Sequence, residues 1–230
     1  MFFRHSEEIW HTFPRLAAGV LYVRGIDASH DVSRAVSSLW ESARSKYATT
    51  TESELPAIQA WRRAFTAMGL KPTQYRCASE SLLRRFRKEG GIPSLHPLVD
   101  LCNGVSLLYA TPIAVFDIAK VSGYLEVRRA KGDEIYTPFS GPDEALEIGE
   151  VVFADDTGRA HARRWTNRQS GFSAVGQWTS SAIIVAEALH DTAAADIRAL
   201  IDVLGPLAEG IASTEVRGSV ISTVGGQFDF

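Results

Sequence analysis

The polar residues with the clearest chemical potential lie on one apolar helical stretch. Asp100, Asn103 and Ser106 are spaced three residues apart, so they form one polar stripe on a helix. Carboxylate, amide and hydroxyl groups can hold a substrate or a water molecule by hydrogen bonds. On an arbitrary helix such a stripe faces solvent, but here an apolar run from Thr111 to Phe116 follows at once and predicts a buried strand. This succession favours a pocket wall.

Two further polar groups stand near predicted strand ends. Asp155 and Asp156 precede Thr157-Gly158, so the pair suits either a turn or a binding site. The second group is rich in side chains used for recognition, and the alternative is a solvated strand edge with a core tryptophan. Its members are Arg164, Trp165, Asn167, Arg168 and Gln169.

Four cations within five residues form the clearest basic cluster of the chain: Arg84, Arg85, Arg87 and Lys88. A charge run of this kind is often only a solvated helix face. The alternative is contact with nucleic-acid phosphates, which Lys and Arg bind. The two interpretations stay open at this point.

Composition limits the class of protein. The 230 residues are 45% hydrophobic and 22% charged, as in an ordinary globular protein, and the net charge of −3 argues against a general DNA or RNA binder.

Cys77 and Cys102 lie in apolar segments and are expected to be buried, reduced thiols. The six histidines lack metal-ligand spacing, and we expect neither a metal nor another cofactor. No apolar run reaches the length of a membrane span, and we expect a cytoplasmic protein without membrane contact.

The elements that must position these groups follow from periodicity. A strand is predicted over Leu16 to Arg24, and the last strong strand candidate is Ala182 to Ala188. Helices are predicted after Ser29, after Pro56, after Ser79, after Pro97 and from Thr192 to Ile211. Residues 2–13 are expected to be an irregular lead-in or a single helical turn. Tyr124 to Ala130 and Ile135 to Phe139 are expected to pair as a hairpin. The predicted class is α+β.

Several of these segments, in this order and spacing, resemble the B3/B4 domain of the phenylalanyl-tRNA synthetase β subunit, and more closely its freestanding relatives. The similarity spans roughly Leu70 to Leu189. The segments are Tyr75-Arg76 with the following Ser-Glu-Ser-Leu-Leu-Arg-Arg, Pro93, Pro97 to Asp100, Asn103, Pro112, Phe116-Asp117, Arg128 to Gly132, Val152 to Asp155 and Arg164 to Gln169. The resemblance implies a central mixed or antiparallel sheet, or a barrel-like β core, with flanking helices at both ends. We expect one domain over residues 1–230, with additions at 1–69 and 190–230.

In the synthetase this domain hydrolyses tRNA wrongly charged with tyrosine, so the resemblance implies a related task and tRNA as partner. Asn103 corresponds to an asparagine of that pocket, and Cys102 stands where a threonine is usual. Asp155 or Asp156 falls close to the carboxylate that reads the misplaced side chain. Ala114 replaces a histidine, so catalysis by an imidazole at that position is unavailable.

The resemblance assigns a role to each group. Asn103 would orient water or the ester, Asp155 or Asp156 would bind the amino group or a side-chain hydroxyl, and Arg168 with Gln169 would close the pocket or hold the terminal adenosine. The remaining substrate-binding candidates are Asp100, Cys102, Ala114, Arg164 and Asn167, and the RNA-binding candidates are Arg84, Arg85, Arg87 and Lys88.

Three functions remain open from the sequence. The first is a deacylase that removes a wrong amino acid from mischarged tRNA in trans. The second is a module that binds tRNA or an aminoacyl group without turnover. The third is a small-molecule pocket protein on the same fold, which the acidic balance of charge and Ala114 favour.

Overall fold

Twelve strands and six α-helices alternate along the chain in a computed structural model that describes all residues, 1–230. The helices are α1 (Glu7–Thr12), α2 (Ser33–Lys46), α3 (Pro56–Ala67), α4 (Ala78–Glu89), α5 (Pro97–Tyr109) and α6 (Ala193–Glu209). The strands are β1 (Phe2–His5), β2 (Ala17–Ile26), β3 (Ile113–Asp117), β4 (Tyr124–Arg129), β5 (Ile135–Tyr136), β6 (Glu144–Ala145), β7 (Val151–Ala154), β8 (Arg159–Arg163), β9 (Arg168–Gln169), β10 (Ser181–Ala188), β11 (Ala212–Ile221) and β12 (Gln227–Asp229). The α+β class is therefore confirmed.

The strands form two sheets. The larger sheet is mixed and has the order β12-β1-β4-β7-β8-β5-β6, with β9 paired to β8. The smaller sheet is antiparallel and has the order β11-β2-β10-β3. Because β2 pairs with both β10 and β11, the N-terminal part of the chain lies in the middle of this sheet.

Three layers follow from the alternation of side chains along β10. Ile183 and Val185 belong to the core between the two sheets, whereas Ala182, Ile184 and Ala186 belong to the core beneath α5 and α6. Neighbouring strand residues point to opposite faces, so a strand buried on both faces must be apolar throughout. The antiparallel sheet is thus the middle layer, with helices on one side and the mixed sheet on the other.

Close backbone approach fixes the helical layer. A Cβ atom at Gly104 of α5 would lie 2.8 Å from Leu39 Cδ1 and 3.2 Å from Leu39 Cβ of α2, so any larger residue would displace the Leu39 side chain from the helix–helix contact. Pro97 stands in the first turn of α5, where a missing N–H is harmless, and His96 caps the helix through its Nδ1. None of the six helices is both long and apolar enough to cross a membrane.

Several predicted elements differ from the observed ones. The predicted hairpin of 124–130 with 135–139 is wrong, because β4 pairs with β1 and β7 while β5 pairs with β6 and β8. Residues 2–13 form β1 and α1 rather than an irregular lead-in. Helix α2 begins at Ser33 after an uncapped Val32, and α4 begins at Ala78, so neither Ser29 nor Ser79 is the N-cap residue.

Candidate functional site

The inter-sheet cleft is a small cavity between the ends of the two sheets, where β9 faces the start of β3. Its volume is about 50 Å³. Its polar wall comes from Asn167, Arg168 and Gln169, and Ala114 lies on the opposite side. The remaining lining residues are Ala78, Pro112, Ile113, Phe153, Ala162, Trp165, Thr166, Val185 and Glu187.

Strand pairing and one side-chain hydrogen bond position the two walls of the inter-sheet cleft. Ala114 lies opposite Val185 in the β3–β10 ladder, and Gln169 lies opposite Ala162 in the β8–β9 ladder. The Gln169 Nε2 group donates to the carbonyl oxygen of Val115 at 2.5 Å, which ties β9 of the mixed sheet to β3 of the antiparallel sheet. The cleft therefore has walls held by both sheets.

The turn between β8 and β9 contains two consecutive residues in the left-handed region. Arg164 has φ 46° and Trp165 has φ 56°, conformations that non-glycine residues adopt rarely and at a cost. The turn is held because Arg164 N donates to Glu150 Oε1 and Trp165 N donates to the Val151 carbonyl. This backbone directs the indole of Trp165 into the core rather than toward solvent.

Trp165 forms the floor of the inter-sheet cleft. Its ring packs edge-on against Phe13 and Trp61, each at 4.9 Å between ring centroids. Its Nε1 donates to Glu187 Oε1 at 2.8 Å. The indole therefore occupies space that a smaller residue would leave to the cleft.

Glu187 is a buried carboxylate of the inter-sheet cleft and is not among the candidates predicted from the sequence. Only 1% of the residue is exposed, and Oε1 lies 2.6 Å from His5 Nε2 as well as within reach of Trp165. A carboxylate in an otherwise apolar strand is rarely buried without partners. The single acidic residue in the β10 stretch Ala182 to Ala188 was the signal that could have revealed it.

Asp100 and Asn103 lie elsewhere, in a larger opening that we call the α2–α5 cavity. Its volume is about 490 Å³, and it shares no lining residue with the inter-sheet cleft. Asp100 accepts hydrogen bonds from Ser94 Oγ at 2.5 Å and from Leu95 N at 2.9 Å. Asn103 makes no side-chain hydrogen bond to another residue and lines the cavity. Ser106, the third residue of the stripe, donates to the Thr111 carbonyl instead.

Cys102 lies beside Asn103 in sequence but reaches neither cavity. It is 2% exposed and packs between α5 and the antiparallel sheet. Burial raises the pKa of its thiol, so the group stays protonated. Cys77 is also buried, and burial raises the pKa of that thiol to about 11. Both cysteines are free, as predicted.

Asp155 and Asp156 lie in the β7–β8 turn and line neither cavity. Asp155 Oδ1 accepts from Thr157 N and Oγ1 and from Arg159 N, while Oδ2 accepts from Ser122 N. The imidazole of His161 lies 3.3 Å from Oδ2. Although burial opposes ionisation, these neighbours hold the pKa of Asp155 well below its usual range. The carboxylate is thus fully used in closing the turn, and Asp156 is exposed.

Arg164 also points away from the inter-sheet cleft. Its guanidinium lies over the ring of Tyr75 at 4.7 Å, beside a separate surface depression. Of the residues selected from the sequence, the inter-sheet cleft therefore brings together Ala114, Asn167, Arg168 and Gln169.

The basic cluster of α4 is largely neutralised by ion pairs. Arg84 contacts the buried Glu80 at 3.1 Å and Glu52 at 3.3 Å, and Arg87 contacts Glu52 at 2.9 Å. Arg85 pairs with Glu89 at 2.9 Å on the exposed face. Lys88 is exposed and forms no ion pair. No group of three or more His, Cys, Asp or Glu side chains is arranged to hold a metal ion.

Known proteins share sequence similarity with part of this chain. A family model described as the B3/4 domain matches residues 60–201. The phenylalanine–tRNA ligase beta subunit of Nocardia farcinica is 35% identical over 124 residues, which cover 54% of this chain and 14% of that subunit. The corresponding subunit of Shewanella oneidensis is 30% identical over 87 residues, 38% of this chain and 11% of the subunit. The chain thus matches only a small part of each of these relatives.

A solved structure aligns with more of the chain. An N-terminal fragment of the phenylalanyl-tRNA synthetase beta-subunit from Pyrococcus horikoshii covers 95% of this chain and 49% of its own length, with 10% identity and a TM-score of 0.46.

Proposed function

Because the chain belongs to the B3/4 domain family, we propose that it removes a wrong amino acid from mischarged tRNA in trans, with the side chain of that amino acid bound in the inter-sheet cleft. The observation that carries this proposal is the position of the cleft inside the matched segment. There the polar residues 167–169 of the β8–β9 turn and strand β9 face Ala114 across a space large enough for a small group. The named relatives are ligases for phenylalanine and tRNA, and the proposal transfers their substrate class to this chain.

Hydrolysis of an aminoacyl ester requires few catalytic groups from the protein. An aminoacyl ester is already activated, so the protein must position water and stabilise the charge that develops on the carbonyl oxygen. The water oxygen bonds to the carbonyl carbon, the bond from that carbon to the ribose oxygen breaks, and a proton from water ends on the ribose oxygen. The neighbouring ribose hydroxyl can assist this proton transfer.

Two side chains of the inter-sheet cleft suit these tasks. Arg168 is exposed at the edge of β9, and its guanidinium lies 5.7 Å from the centre of the Tyr136 ring and 3.8 Å from Glu144 Oε1. In the proposed reaction the side chain turns toward the cleft and offers N–H donors to the developing oxyanion or to the ribose. Asn167 is held by its Nδ2 donating to the Arg76 carbonyl at 2.8 Å, which leaves its Oδ1 as an acceptor for an amino group or water. No histidine lines the cleft, so the mechanism does not use an imidazole base.

The test is to incubate the full chain with tRNAs that each carry one labelled, non-cognate amino acid and to follow loss of the ester. We expect at least one aminoacyl-tRNA to be hydrolysed well above its spontaneous rate. Arg168→Ala should slow that reaction by roughly 10²-fold, the scale of losing one oxyanion donor.

Arg198→Ala is the matched control, because Arg198 is an exposed arginine of α6 that lines neither cavity. Spontaneous rates for the whole panel would refute the deacylase proposal. If the chain nevertheless retained a mischarged tRNA on a filter, the binding module would be the correct function. Equal rates for wild type and Arg168→Ala would remove Arg168 from the mechanism.

A further inference from the structure

Each of the two sheets ends, on the same side of the molecule, in a strand with a free edge. Strand β11 is the last strand of the antiparallel sheet and pairs with β2 alone, and β12 is the last strand of the mixed sheet and pairs with β1 alone. Arg217 Nη1 of β11 donates to the Asp229 carbonyl of β12 at 3.0 Å, so the two free edges lie side by side. A free edge presents N–H and C=O groups to which another strand can bind.

Strand β11 is the longest terminal strand of either sheet. It has ten residues, whereas the other terminal strands β3, β6 and β12 have five, two and three. The outer edge of β3 is partly occupied, because Gln169 Nε2 donates to the Val115 carbonyl and Asp117 N donates to the Ser173 carbonyl. Residues 212–221 form main-chain hydrogen bonds only in the ladder with β2. The outer edge of β11 is therefore open along its length.

Two charged residues decide which strand fits this edge. Glu215 and Arg217 are two positions apart, so they point to the same face of β11, with Arg217 Nε 3.0 Å from Glu215 Oε1. Their side chains are 41% and 46% exposed. Charges on an edge strand usually prevent pairing with another chain. When two copies of β11 pair antiparallel about Val216, however, Glu215 of each copy lies opposite Arg217 of the other, and opposite charges across a ladder are favourable.

The same two charges select one register of this pairing. In a symmetric antiparallel pair the two-fold axis passes beside one residue of the strand, and that residue fixes all other pairs. An axis at Glu215 would place two carboxylates opposite each other, and an axis at Arg217 would do so for two guanidinium groups. An axis at Val216 avoids both. A β-bulge between Ala212 and Glu215 interrupts the ladder on one side and keeps the regular part short, so the contact is of modest affinity.

We propose that β11 is the interface of a two-fold symmetric homodimer, in which the four-stranded sheets of two copies join at Val216 into one continuous sheet. The small edge of β12 lies beside β11 and extends the contact to the second layer. Residues of β11 line neither cavity and lie outside the matched segment 60–201, so the dimer goes beyond the proposed deacylation and is tested apart from it.

Charge reversal tests the pairing. Sedimentation equilibrium of the full chain from about 1 to 500 µM covers the affinities of an interface below the standard size. Glu215→Arg and Arg217→Glu, each alone, place like charges across the ladder and should weaken the dimer about tenfold or more. The double variant restores opposite charges and should dimerise nearly as wild type does. Arg34→Glu is the matched control, because Arg34 is an exposed arginine of α2, outside both sheets.

A cysteine at the axis tests the register. Opposite residues of an antiparallel pair have Cα atoms about 4.5–5.5 Å apart, a distance that a disulfide spans. Val216→Cys should therefore give a covalent dimer under mild oxidation. Ser219→Cys is the control, because Ser219 would face Ser213 of the other copy and find no thiol there. The native Cys77 and Cys102 are buried and free, so they do not contribute.

Melting curves establish that the variants are folded, and a charge variant that fails to fold leaves the decision to the two cysteine variants. The proposal is overturned if wild type is monomeric up to about 500 µM, a concentration at which even weak specific interfaces form. It is equally overturned if Val216→Cys is cross-linked no faster than Ser219→Cys, or if the double charge reversal dimerises no better than either single change.

Discussion

At the scale of single residues, three buried carboxylates are the hydrogen-bonded centres of local structure. Asp155, Glu80 and Glu187 are each at most 2% exposed, and each is held by several donors. Burying a charge costs free energy unless the charge is paired, so these carboxylates need hydrogen-bond or ion-pair partners inside the folded protein. They are therefore the positions where a conservative amide substitution has a measurable effect.

Asp155→Asn should lower the free energy of unfolding by about 2 kcal/mol at pH 7, because a charged acceptor of four N–H or O–H donors is replaced by a neutral one. The folded-state pKa of Asp155 is depressed, so its stabilisation is present above the unfolded pKa, about 4, and is lost as pH falls toward the folded value. Urea unfolding at pH 7, 5 and 3 checks this. A gap between wild type and variant that stays constant down to pH 3 would contradict the assignment.

The small inter-sheet cleft sets an expectation for specificity. About 50 Å³ accommodates little more than one or two water-sized groups, because Trp165 fills the floor. Within the proposed deacylation, we therefore expect tRNA carrying glycine, alanine or serine to be hydrolysed faster than tRNA carrying tyrosine. Competition between these substrates in one reaction measures the ratio, and a preference for tyrosine would show that the cleft opens on binding.

At the scale of elements, α4 separates arginines that contact buried carboxylates from cations that lie on its exposed face. Glu80 on this helix is fully buried and contacts Arg62 at 2.6 Å and Arg84 at 3.1 Å. Arg84→Glu places a second carboxylate beside the buried Glu80, which keeps only Arg62 and Arg76 as partners, so we expect this variant to be less stable than wild type. Arg85 and Lys88 are both exposed and contact no buried carboxylate, so replacing them should change stability little.

The RNA contact proposed for α4 is consequently tested by the double change Arg85→Glu with Lys88→Glu. If these side chains bind phosphates, tRNA affinity should fall and its dependence on salt should flatten, while the melting temperature stays near that of wild type. Filter binding at 50 and 200 mM salt gives the slope. Identical slopes for the wild type and the double variant would exclude the contact.

The elements also show what the sequence could and could not predict. The period of α3 is visible because this helix buries one face, whereas α5 has no exposed residue and is visible through the helical spacing of its apolar side chains. Strand β10 is visible because both of its faces are apolar. The predicted hairpin over 124–139 was wrong because the choice between β1, β5 and β7 as partner of β4 depends on segments far away in sequence. For the same reason, the stripe of Asp100 and Asn103 predicted a cavity wall, but which cavity depended on the approach of α2.

At the scale of the whole molecule, the matched segment 60–201 does not contain a complete sheet. It lacks β2 and β11, and β10 would lose the partner that covers its whole length. We expect a fragment of residues 60–201 to be unfolded or aggregated, because β10 would present an apolar edge. Circular dichroism and a thermal scan of the fragment beside residues 1–230 check this, and a cooperative transition in the fragment would refute it.

The central position of β2 also bears on how the chain is made. Residues 17–26 are synthesised well before their partners at 181–188 and 212–221. Pairing across such separations is slow, and an apolar strand awaiting its partners is prone to aggregate. The nascent chain therefore has to keep β2 from other surfaces while the intervening residues are made, so binding of a chaperone to this strand is an advantage during synthesis.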